Sequence, residues 1–148
     1  MPMYRYVLLL HIVSATAWTG GHLVLALRIL PAVLKQRSAS MLLDFERRYE
    51  PLGMSALVVQ VVSGAWLASR LVPLSLWLSL GNPTSRMVVM KLTCLGLTVA
   101  FALDARLRVL PRLRDENVHT MVPHITAVTI LSVLFVVAGV GFRTGGWS

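Results

Sequence analysis

The stretch YRYVLLLHIVSATAWTGGHLVLALRIL, residues 4–30, decides the fold. As a helix it is long enough to cross a hydrocarbon core of about 30 Å, and it carries two histidines, His11 and His22. Their spacing is close to three helical turns, so both rings project from nearly one face, roughly 16 Å apart along the axis. Ser14, Ala15 and Trp18 fall on the same stripe, while Thr19, Gly20 and Gly21 keep the neighbourhood small. A histidine inside a membrane segment is costly unless it faces the bundle interior and finds a partner or ligand there. The remaining sequence is read for those partners.

Three further apolar runs follow, at about 51–72, 86–110 and 119–142. Each has the length a spanning helix needs, and no strand-like alternation competes with the helical reading. Backbone groups cannot go unpaired in lipid, so helices are required. The expectation is an all-α, integral membrane, antiparallel four-helix bundle forming a single transmembrane domain over residues 1–148. A hydrophobic content of 56% and a mean hydropathy of +0.73 exclude an ordinary soluble domain. Pro31, Pro73 and Pro111 read as helix stops. A short interfacial helix is expected from Ser40, and Gly81-Asn82-Pro83 reads as a turn. No internal repeat or low-complexity tract is evident. The first segment lacks the short apolar core and cleavage site of a signal peptide, so it is expected to stay as a helix.

A formal charge of +8 first suggests nucleic acid. The basic residues flank apolar runs, however, which is how a membrane protein sets its orientation, and nucleic acid is set aside. Nine of them lie at loops 31–50 and 111–118 or the helix ends beside them (Arg28, Lys35, Arg37, Arg47, Arg48, Arg106, Arg108, Arg112, Arg114). Five lie on the opposite side (Arg5, Arg70, Arg86, Lys91, Arg143). This bias places the two loops in the cytoplasm and both termini outside. The lone Cys94 excludes an intrachain disulfide and a CxxC zinc pattern, and is read as apolar packing.

Antiparallel order allows depths to be compared. His22 and His124 come to one level in the cytoplasmic half; His11 and Lys91 come to another in the outer half. A b-type haem needs an apolar slot between helices and one or two axial imidazoles. His22 and His124, beside Trp18 and Gly21, meet that description, with Arg28 placed to hold propionates. Copper instead asks for imidazole and thioether ligands. His11, Met87, Met90 and His22 would then form a path. A purely structural role for the histidines, bonded to carbonyls or serines, is the third reading.

At these residues the chain resembles the small four-helix membrane proteins of the copper resistance protein D (CopD) and HemJ-type protoporphyrinogen oxidase superfamily. LHIVSATAWTGG in the first run, RRYEPLGM before the second, VVMKLTCLGL in the third and the DARLRVLPRL that follows carry the resemblance. The expected location is a bacterial inner membrane, with the charge bias putting both termini in the periplasm. His11 and Lys91 match a histidine and a lysine that the oxidase group associates with b-haem and activity. The acidic, asparagine-containing motif of that group is absent, the chain reading HTMVPHITAVT, and so is the histidine that often precedes the lysine. His22 and His124 have no counterpart and rest on spacing alone. The expectation is a haem b protein acting in electron transfer or oxidation. His22 and His124 would be its axial ligands, His11 a further ligand, and Lys91 a catalytic contact. A quinone would be its redox partner, and association with further copies of the chain stays open. The alternative is CopD-like copper handling without haem.

Overall fold

A computed structural model describes residues 2–144, with side chains through residue 141; the side chain of Arg143, counted above, lies outside the described residues. Four helices are long and apolar enough to cross a membrane: Pro2–Gln36, Ala39–Leu71, Pro83–Arg112 and Asp115–Gly141. Among the described residues there is no strand. The elements used below are α1 (Pro2–Val24), α2 (Leu30–Gln36), α3 (Ala39–Leu71), α4 (Pro83–Asp104) and α5 (Val122–Thr144). Large apolar side chains such as Leu9, Ile12, Val62, Leu103 and Ile130 are exposed, as a bundle bathed in lipid tails requires.

Of the expected proline stops, Pro31 proves to be something else, while the third span does end one residue past Pro111, at Arg112. Leu25–Ile29 forms a single π-helical turn, and the Leu30 amide reaches back to Leu25 O. Pro31 sits in the first turn of α2, so the first span runs through it to Gln36. Ala105–Val109 does the same in the third span, with the Leu110 amide on Ala105 O and Pro111 just beyond. A wider turn lets the chain absorb a residue that lacks an amide hydrogen and would clash with an ordinary preceding turn. The interfacial helix expected from Ser40 is likewise continuous with the second span, Ser38 Oγ capping it by accepting from the Met41 amide at 3.3 Å. Pro51 lies inside α3 and the helix continues. Asn82 caps α4, its Oδ1 accepting from the Ser85 amide at 2.8 Å, and Pro83 takes the first helical position.

The loop side is tied together by packing and one polar link. Leu25, Leu30, Val33, Leu42, Met121 and Ile125 form one buried cluster. The Ala39 amide donates to Asp115 Oδ1 at 2.7 Å, joining the two loops. Deeper in the bundle Trp18, Ala56 and Val128 pack together.

α1 packs on α3, α4 packs on α5, and α1 joins the two pairs through α5. Superposing the π turns Leu25–Ile29 and Ala105–Val109 aligns LRILP (27–31) with LRVLP (107–111). The same shift carries Ser14 onto Cys94 and Trp18 onto Thr98, all four buried. A single shift of α3 carries Gly53, Ala56 and Ser63 onto Val128, Leu131 and Ala138 of α5, and all six are buried. These positions coincide, while Thr19 is buried and its counterpart Val99 exposed, and Ser85 is buried and its counterpart Arg5 exposed, so the likeness of the two pairs is local.

Candidate functional site

On the terminal side of the bundle, His11 of α1 faces α3. Its Nδ1 lies 2.8 Å from Ser63 Oγ. The Ser63 hydroxyl donates to Val59 O of its own helix, so its oxygen receives the hydrogen bond from His11 Nδ1–H. That fixes the tautomer and leaves Nε2 with a bare lone pair, the arrangement an imidazole needs to bind a metal ion. Gly64 makes the approach close: a Cβ there would lie 3.0 Å from His11 Cε1. Ser14 Oγ lies 2.9 Å from His11 O and 3.3 Å from Gln60 Oε1, a second polar tie between α1 and α3. The Nζ of Lys91, on α4, lies along Gly139 of α5, where an added Cβ would be 3.8 Å away.

On the loop side, His22 Nδ1 donates to Trp18 O at 2.9 Å, one turn back on α1. A carbonyl only accepts, so Nε2 of His22 also keeps its lone pair. The Trp18 ring is 4.4 Å from His22, and Tyr49 of α3 meets it edge-on at 5.9 Å. Tyr49 Oη donates to the Ala17 and Trp18 carbonyls at 3.1 and 3.0 Å, and Phe45 stacks on its other side. The room left by Gly21 is taken by the Tyr49 ring, which a Cβ at position 21 would strike. Here the expected haem slot is corrected: the space beside Trp18 and Gly21 is filled by a tyrosine held by two hydrogen bonds.

His124 is turned to a different neighbour. Its Nε2–H donates to Asp104 Oδ2 at 2.8 Å, and Phe101 meets its ring edge-on. Asp104 is also 3.3 Å from Arg108. His22 and His124 therefore do not present two bare nitrogens to one plane, and the residues of this level do not fit an axially paired haem. Arg28 is exposed within the first π turn. Met87 and Met90 are half-buried on α4, on either side of the fully buried Val88. Trp18 Nε1 is buried without a hydrogen-bond partner among the described residues; an indole N–H only donates and cannot ligate a cation. No group of three or more histidine, cysteine or acidic residues converges among the described residues.

Two residues that matter here carried little signal in the sequence. Tyr49 lies in a polar stretch that read as a loop, and it shapes the His22 environment. Ser63 read only as an interhelical hydrogen bond, whereas it selects the His11 tautomer. Near the loop-side surface, Glu50 pairs with Arg106, bridging α3 to the end of the third span, beside a shallow cleft of about 350 Å³ lined by Leu43, Glu46, Arg47 and Leu110.

The fold and these groups define an integral membrane helical bundle with two metal-competent imidazoles on one helix. A sequence model of the copper resistance protein D family matches residues 43–142, more than half of the chain, and the protein belongs to that family. The matched residues contain most of α3, all of α4 and most of α5, and leave out His11 and His22. No curated protein and no solved structure matches the chain.

Proposed function

We propose that the protein handles copper ions within the membrane, with His11 and His22 of α1 as successive stations. The observation that carries this reading is the tautomer of both rings. Ser63 Oγ and Trp18 O each take a hydrogen from Nδ1, leaving Nε2 as a ligand. Family membership supplies the metal, since a copper resistance protein is linked to copper. An imidazole suits copper in either oxidation state, and thioethers suit the reduced ion. Met87 and Met90 are the methionines nearest in sequence to Lys91, on the same helix α4. The stations stand about 16 Å apart along α1, so an ion moving between them would pass Ser14 and Trp18. The charge bias favours loops 31–50 and 111–118 on the cytoplasmic side of a bacterial inner membrane, which would make His11 the outer station and His22 the inner one.

The main expectation of haem b with paired axial histidines loses its support at the Tyr49-filled slot, and no redox or quinone chemistry is drawn from these groups. The discriminating experiment is Cu(I) titration of the detergent-purified protein against a competing chelator, with an absorption spectrum of the same sample before and after dithionite. Copper binding that falls in His11→Ala and His22→Ala, with no sharp reduced α and β bands, is expected. A stoichiometric b-haem spectrum lost in His22→Ala or His124→Ala would overturn the copper reading in favour of haem.

A further inference from the structure

We propose that the loop-side cleft between α3 and the end of the third span binds one membrane phospholipid whose headgroup carries both a phosphate and a primary ammonium, as phosphatidylethanolamine does. Depth is the first argument. The large apolar side chains that α3 exposes run from Leu52 to Leu71. That is a rise of about 28 Å, close to the thickness of a hydrocarbon core of about 30 Å. From Ala39 to Pro51 the same helix exposes no large apolar side chain. On the third span Leu103 and Leu107 are exposed. The hydrocarbon boundary on the loop side therefore falls near Leu52 and Leu107. Glu50, Arg47 and Glu46 stand about 3 to 9 Å beyond Leu52 along the axis, in the layer of lipid headgroups, and Arg106 adjoins Leu107 on the facing wall.

Charge is the second argument. The cleft has a volume of about 350 Å³, with Leu43, Glu46, Arg47 and Glu50 on the α3 side and Arg106 and Leu110 opposite. Positions 43, 46, 47 and 50 share one helix face, so a single wall presents both signs of charge. Glu50 and Arg106 form an ion pair across the cleft. Glu46 and Arg47 are in no ion pair among the described residues. One carboxylate beside one guanidinium is thus left for a ligand, and a zwitterionic headgroup is its complement. The phosphate accepts from Arg47 and the ammonium donates to Glu46, both as charge-assisted hydrogen bonds. An anionic headgroup without an ammonium would set its charge against two carboxylates, and a choline headgroup has no N–H to donate to them. The exposed Leu52 and Leu107 give the acyl chains an apolar wall below the cleft. Bound there, the lipid joins α3 to the third span beside the Glu50–Arg106 pair. This inference stands on the cleft alone and is independent of the copper reading.

The test uses the full-length protein in nanodiscs of phosphatidylcholine holding equal amounts of phosphatidylethanolamine and phosphatidylglycerol, with the lipids retained on release counted by native mass spectrometry. The unaltered protein is expected to retain phosphatidylethanolamine about fivefold over either other lipid, the size one partly exposed ion pair provides. Arg47→Gln is expected to lose that preference. Glu46→Gln removes the carboxylate and keeps the guanidinium, so its preference is expected to pass to phosphatidylglycerol. Gel filtration checks that each variant is folded. If a variant does not fold, the unaltered protein still decides the matter. Its retention of phosphatidylethanolamine, its N-methyl and N,N-dimethyl forms and phosphatidylcholine is expected to fall stepwise as N–H donors are lost. A preference of the unaltered protein for phosphatidylglycerol, equal retention of all three lipids, or an unchanged preference in folded Glu46→Gln overturns the proposal.

Discussion

In the first helical pair an imidazole rests on Gly64 with its Nδ1 on Ser63; in the second an ammonium rests on Gly139 beside Ala138. On the loop side the first pair sets Tyr49 over Gly21 and against His22. The second sets His124, the counterpart of Tyr49, against Phe101 and Asp104. Phe101 is itself the counterpart of Gly21, so a ring supplied by α3 in one pair is supplied by α4 in the other. Both pairs have a long first helix and a π turn before a proline. What differs is which pair carries a lone pair. The first presents imidazole nitrogens bonded through Nδ1 to Ser63 and Trp18, and the second presents an ammonium and a carboxylate-bound histidine.

Substitutions break this comparison at graded strength. His11→Ala removes the ligand of the first half and is expected to lower Cu(I) affinity by more than about a hundredfold at that station, beyond the 10- to 100-fold typical of losing a ligand's outer hydrogen bond. Competition titration checks it. Ser63→Ala leaves the ring and removes its anchor, and should cost about 10- to 100-fold in the same assay; Ala138→Ser in the other half should change nothing by itself. Gly21→Ala drives a methyl into a tyrosine ring pinned by two carbonyls. Overpacking of this kind costs about 1–3 kcal/mol, seen as a lower melting temperature in detergent. Gly20→Ala, with open space around it, is the matched control, expected within about 0.5 kcal/mol.

The smallest effects sharpen the contrast between the two glycine floors. Gly64→Ala places a methyl 3.0 Å from His11 and should shift that ring and weaken copper binding, whereas Gly139→Ala meets Lys91 at an ordinary 3.8 Å and should leave affinity unchanged. Asp104→Ala removes the acceptor of His124 and the partner of Arg108. Asp104 is 39% exposed, so solvent screening reduces the loss to about 1 kcal/mol. Copper binding should be unaffected, because His124 is not a station.

The four spans were legible from apolar length alone, because lipid leaves the backbone so few options. Depth follows from helical rise, so levels such as that of His11 and Lys91 could be compared along the sequence. The depth comparison did not reveal which way a ring turns. His22 and His124 lie in the same half of the membrane, yet one bonds a carbonyl of its own helix and the other a carboxylate on α4. Pro31 read as a stop because proline breaks an α turn, and nothing in the letters announces the π turn that accommodates it. Tyr49, in a charged stretch, gave no hint that it would fill the slot beside Gly21.

The most direct test of the copper account is X-ray absorption at the copper edge on the Cu(I)-loaded protein and on His11→Ala loaded in the same way. The account predicts imidazole scattering in the original protein, with an average of about one imidazole per copper, and a clear loss of that signal in the variant. Copper surrounded only by sulfur or oxygen, or an imidazole signal unchanged by His11→Ala, would contradict it.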